Sequence, residues 1–113
     1  MKVALVVMFT NPVPGREKAA VAYARELDDF ARKRAADGVI TEPKWLWTSN
    51  GDNMLIIEGE YEDILALSTT PEVTKLENKG TILIQDFRSE IYVVGRDESL
   101  VPYEEALAEL NLA

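Results

Sequence analysis

Trp45 and Trp47 stand two residues apart, so on a strand their indoles share one face. Such a pair makes a flat platform for an aromatic ligand or a second copy of the chain, and it serves equally as packing at the end of a core. Asp86, Arg88, Glu90 and Tyr92 alternate in the same way, behind Ile82 and Ile84. A single Arg among carboxylates holds an anionic or phenolic group if it points into a cavity, and otherwise belongs to an ion-pair ladder between strands. Trp45, Trp47, Arg88 and Tyr92 are therefore the candidate ligand-binding residues. In a catalytic setting an indole would stack the ring while Arg88 stabilised its anion. Glu58 and Glu60 share a face of another strand, where they pair with Arg88, supply an acid in a dry pocket, or mark a solvated strand end.

What is missing narrows the chemistry. The 113 residues include no His and no Cys, and 12 basic against 20 acidic side chains leave a formal charge of −8. That composition rules out thiolate nucleophiles, Ser-His-Asp triads, His-ligated zinc and disulfides. Ser49, Ser68, Ser89 and Ser99 have no Lys at the spacing a Ser-Lys dyad would need. Metal binding is left to carboxylates, and neither Asp28-Asp29 nor Asn50-Gly51-Asp52-Asn53 has the spacing of a calcium loop. No metal and no cofactor are expected. Pro12-Val13-Pro14-Gly15-Arg16 lacks the glycines and Lys of a phosphate loop, and the acidic balance argues against nucleic acid. The apolar start, Lys2 to Thr10, is cut short at Asn11-Pro12, well below the ~20 residues of a membrane span, so a cytoplasmic location is the default expectation.

The elements that must position these side chains follow from periodicity. Lys2 to Thr10 reads as a buried strand, and Arg16 to Asp37 as a helix with Ala20, Tyr23, Ala24, Leu27, Phe30 and Ala31 on one stripe and Gly38 as its cap. Val39 to Thr48 and Asn53 to Tyr61 read as strands joined by the Asn50-Gly51 turn, with Pro43 placing the former at an edge. A helix from Glu62 breaks near Thr70-Pro71 and ends before Gly80. Thr81 to Val94 reads as a long fourth strand, Gly95 to Val101 as a charged connector, and Pro102 to Leu110 as a short helix. The chain is then a single domain over 1–113, with a βαββαβ core over 1–95 and a C-terminal connector and helix over 96–113. Its class is α+β: a ferredoxin-like antiparallel sheet in the order four, one, three, two, with two helices on one face.

One sheet face cannot hide the apolar content of 47%. In the first strand Val3, Leu5, Val7 and Phe9 line one face while Ala4, Val6 and Met8 line the other; in the third, Met54 and Ile56 oppose Leu55 and Ile57. Two helices cover a single face, so the second requires a cover of its own, and a homodimer packed sheet against sheet is expected.

In element order, in the hairpin Lys44 to Glu58, in the interrupted helix at Thr70-Pro71-Glu72 and in the long last strand with its tail, the chain resembles the dimeric α+β barrel superfamily. The resemblance implies two ferredoxin-like subunits closing a barrel, often with a small-molecule pocket, and activities that include cofactor-independent monooxygenases and isomerases. Branches that depend on His have no counterpart here. The function expected is a homodimeric barrel binding a small apolar or aromatic molecule, with a cofactor-independent monooxygenase or isomerase of an aromatic or phenolic substrate, or a scaffold domain, as alternatives.

Overall fold

The computed structural model describes residues 1–113. Its elements are β1 (Lys2–Phe9), α1 (Glu17–Ala36), β2 (Lys44–Leu46), β3 (Asn53–Glu60), α2 (Tyr61–Ser68), α3 (Pro71–Leu83), β4 (Arg88–Val93) and α4 (Arg96–Glu109). The sheet runs β2-β3-β1-β4, antiparallel throughout, as the split βαβ halves require. β1 lies at its centre, pairing from Lys2↔Glu60 to Phe9↔Asn53 on one side and from Val3↔Val93 to Met8↔Arg88 on the other.

The register sorts side chains by parity. Val3, Leu5, Val7, Phe9, Leu55 and Ile57 all point to the face that carries α1, α2 and α3, and all are buried there. Around Val7 and Phe9 the core takes in Tyr23 of α1 and Leu76 of α3; around Val3 and Leu5 it takes in Ile40 and Ile64. Local chemistry sets the helix ends. Gly38, at φ 78°, closes α1 with its N–H donating to the Ala35 carbonyl. Thr70 caps α3, its Oγ1 accepting from the Val73 N–H at 3.2 Å with Pro71 in the first turn.

Three boundaries differ from those read in the sequence. The helix does not stop before Gly80 but continues through it to Leu83, so Thr81 and Ile82 are helical and β4 begins only at Arg88. Gly80 continues the helix because Phe87 packs where its Cβ would be, and Thr81 Oγ1 donates back to the Glu77 carbonyl at 3.0 Å. Asp86 lies in the intervening turn with φ 54°, outside the strand face assigned to it. β2 is three residues long; before the buried Pro43, the Thr41 N–H and hydroxyl bond the Glu58 carbonyl and N–H in place of a regular ladder. The stretch Gly95 to Val101 is not a connector, since α4 starts at Arg96 and carries Pro102 in its interior.

No element lies over the opposite sheet face. β1 and β3 present Ala4, Val6, Met8, Met54 and Ile56 there, flanked by Leu46 of β2 and Tyr92 of β4. On the strands its charged groups are Lys2, Lys44 and Arg88 against Glu58, Glu60 and Glu90, with Asp52 and Asp86 in the loops at one end.

Candidate functional site

The sheet separates the four candidate ligand-binding residues. Trp45 pairs with the inward Leu55, so Trp45 and Trp47 stand on the helix side. Arg88 pairs with Met8 and Tyr92 with Ala4, so both stand on the open side. Along β4 the latter two are four residues, or about 13 Å, apart. The arrangement in which an indole stacks a ring while Arg88 holds its anion is therefore not assembled within one chain.

The indoles stack with ring centroids 5.8 Å apart and planes within 8° of parallel. Phe9 meets both edge-on, at 6.3 Å from Trp45 and 5.6 Å from Trp47. Trp45 Nε1 donates to Asp28 Oδ1 at 2.8 Å, and Arg32 Nε donates to Asp28 Oδ2 at 2.8 Å. Asp28 thus acts as a clamp between α1 and the edge strand. Burial pushes its carboxyl up, but the bonds from Trp45 and Arg32 outweigh burial and hold it below the usual carboxylate value. Trp45 caps the core, while Trp47 lies over it with 65% of its surface exposed, beside a shallow groove along α1.

On the open side a groove of about 610 Å³ runs across the ends of β1, β3 and β4, lined by Met8, Met54, Thr10, Asp52, Asp86 and Arg88 among others. Arg88 makes no ion pair; its Nη2 reaches only Met8 Sδ, at 3.7 Å. Asp86 is engaged by Thr10 Oγ1 at 2.9 Å. The guanidinium therefore keeps its donors free above two flexible thioethers. Asn53, by contrast, is buried and fully occupied: it accepts from the Thr48 N–H and donates to the Thr10 carbonyl, which fixes the hairpin rather than facing a ligand.

A third space lies between sheet and helices, a cavity of about 40 Å³ walled by apolar side chains including Leu5, Val7, Leu27, Phe30, Val73 and Phe87. Tyr23 borders it, its hydroxyl donating to the Leu76 carbonyl at 2.7 Å. Burial, with smaller contributions from the charges of Glu77 and Glu26, pushes the Tyr23 phenol well above its ordinary range. Glu77 is the one charged residue on the wall, and Ser89 Oγ donates to its Oε1 at 3.3 Å. Sequence reasoning passed over Glu77. The available signal was its phase: it falls four residues after Val73 and one after Leu76, on the inward side of α3.

No helix is long and apolar enough to cross a membrane. No protein-family model and no curated protein matches the sequence, but solved structures do match in shape. Rv0793 from Mycobacterium tuberculosis superposes with a TM-score of 0.66 at 15% identity, over 88% of this chain and 100% of that one. A dimeric protein of unknown function and ferredoxin-like fold from Bacteroides fragilis gives 0.60 at 13% identity, over 82% and 96%. SnoaB, a cofactor-independent oxygenase from Streptomyces nogalater, gives 0.56 at 10% identity, over 84% and 94%. Identities this low speak for architecture and leave chemistry to the site. With its strand order, its helices on one face and these neighbours, the chain has a ferredoxin-like fold.

Proposed function

We propose that the chain works as a homodimer, open sheet face against open sheet face, and binds a small molecule with an apolar or aromatic body and an anionic group in the groove that the second copy roofs. The observation that carries the ligand reading is the unpaired Arg88 guanidinium above Met8 and Met54. The thioethers accept a ring of variable shape, and Arg88 supplies two parallel donors for a carboxylate or phenolate. The dimer rests on the apolar centre of the open face and on its balance of charge. A chain of net charge −8 repels its copy, yet the strands of this face carry three cations beside three carboxylates, which lets each patch set charges of opposite sign against its own equivalent across a two-fold axis.

Titration of 1-naphthoate by calorimetry tests the ligand reading. Wild type should bind, and Arg88→Gln should bind about ten-fold more weakly, the cost of one charge-assisted contact. Equal affinity for both proteins would reject Arg88 as the anchor. A monomeric mass in light scattering at micromolar concentration would reject the dimer.

A second reading is favoured by Glu77. A lone carboxylate on an apolar wall can take a proton from a phenolic substrate once the cavity opens, as a cofactor-independent oxygenase or isomerase would require. Oxygen uptake with a panel of quinols tests it: turnover that Glu77→Gln abolishes supports the reading, and no turnover by wild type rejects it.

A further inference from the structure

The C-terminal helix has no place in its own subunit. None of its residues is buried, and it makes no substantial contact with any other element. The radius of gyration is 16.5 Å, whereas a compact chain of this length has about 13 Å. Yet α4 is built to be covered. Leu100, Tyr103, Leu107 and Leu110 follow at spacings of three, four and three, which sets them on one stripe headed by Arg96, with Glu98, Glu105 and Glu109 on the other side. Leu100, Tyr103 and Leu110 are 46%, 63% and 67% exposed. A helix of this length with Pro102 in its interior is marginal in water without tertiary support.

A matching deficit lies on β4. Ile91 pairs with Leu5 and Val93 with Val3, so both point to the helix side of the sheet, where their partners are buried. Ile91 and Val93 themselves are 39% and 43% exposed, because α1, α2 and α3 stop short of this edge. The helix that could cover them in sequence is α4, but Gly95, at φ 124° and ψ 145°, turns it away after a connector of only two residues.

We infer that α4 is an exchanged arm, laying its Leu100–Tyr103–Leu107–Leu110 stripe over Ile91 and Val93 of a second copy. The inference rests on the sheet-to-sheet dimer proposed above. It is continuous with that face, since α4 leaves the sheet where the Val94 N–H donates to the Lys2 carbonyl, beside the charged rim of Lys2 and Glu60. Length agrees as well: 14 residues span about 21 Å, against about 10 Å between two packed sheets, so the arm can pass the partner's edge and reach its helix side. Two-fold symmetry lets each copy give one arm and receive one, so both deficits close together.

The absence of Cys makes cross-linking a clean test in the full-length chain. Ile91→Cys/Tyr103→Cys is treated with a short bis-maleimide at micromolar concentration, beside each single variant. Both positions are exposed, so the fold is not at stake. Held together across chains, the two thiols meet at millimolar effective concentration, and a covalent dimer should form roughly a hundred-fold faster than in either single variant. A link within one chain overturns the arm, and so does a dimer by light scattering that gives no inter-chain link. In either case the sheet-to-sheet dimer stands. A monomeric wild type overturns both.

Discussion

Trp45 Nε1 donates to Asp28 Oδ1 at 2.8 Å, and this single bond ties a three-residue edge strand to the long helix α1. β2 is too short to hold its place by ladder bonds alone, so the indole, stacked on Trp47 and met edge-on by Phe9, does much of that work. Asp28→Ala should therefore loosen the edge, at a cost of about 1–2 kcal/mol, because a charge-assisted bond is lost and Trp45 Nε1 is left without its acceptor. Urea denaturation measures the loss, and a red shift of tryptophan emission should accompany it.

The same carboxyl gives a pH dependence of defined sign. The folded protein holds Asp28 below its ordinary 3.8, so the stabilisation is complete above that value and is lost as pH falls through the folded value. As pH falls below about 4, wild type should lose more stability than Asp28→Asn, which has no charge to lose. Parallel acid titrations of the two proteins would refute this assignment.

Gly80→Ala should be among the most damaging small substitutions in the chain. A Cβ there would stand 2.5 Å from Cε2 and Cζ of Phe87, a contact that forces the ring or the helix to move. Overpacking of this kind costs about 1–3 kcal/mol. Phe87→Leu should recover part of the loss in the double variant, so a thermodynamic cycle that is additive would locate the strain elsewhere.

Gly80 also explains why one part of the fold was misread in the sequence. Locally, Gly followed by Thr81-Ile82-Leu83 reads as a helix stop and a β-branched strand. The helix wins because Phe87, seven residues on, needs the bare backbone of Gly80, and no periodicity encodes that contact. β1 was legible as a continuous apolar run ended by Asn11-Pro12, β3 as an apolar run after the Asn50-Gly51 turn, and the cap at Gly38 and the restart at Thr70-Pro71 were legible because each is local chemistry. The site was legible only in its residue types. Parity within a strand put Trp45 with Trp47 and Arg88 with Tyr92, but which pair shared a side depended on the β2–β3 and β1–β4 registers, and these set the pairs on opposite faces.

Ile56 sits on the open face, opposite Val6 in the centre of the apolar patch. Ile56→Lys adds a charge that two-fold symmetry doubles at the interface, while the residue stays outside both buried clusters of the helix side. The variant should fold with native circular dichroism and run as a monomer where wild type runs as a dimer. A dimer of undiminished affinity would move the interface away from this face.

At alkaline pH the controlling group should be Tyr23. Its phenol lies among Leu76, Phe87 and the apolar cavity wall, and its hydroxyl donates to a carbonyl, so ionisation would bury a charge and break a bond at once. The folded value lies above the ordinary 10, so folding favours the protonated form. The stabilisation is therefore full below about pH 10 and lost as pH rises beyond it. Wild type should unfold cooperatively in that range, with one phenol of the four ionising only as the protein unfolds. Tyr23→Phe separates this effect from the hydrogen bond. At neutral pH it should cost about 1 kcal/mol, leaving the Leu76 carbonyl without its donor. Above pH 10 its stability should fall less steeply than that of wild type, because no buried phenol remains to ionise. Equal slopes for the two proteins would assign alkaline unfolding to another group.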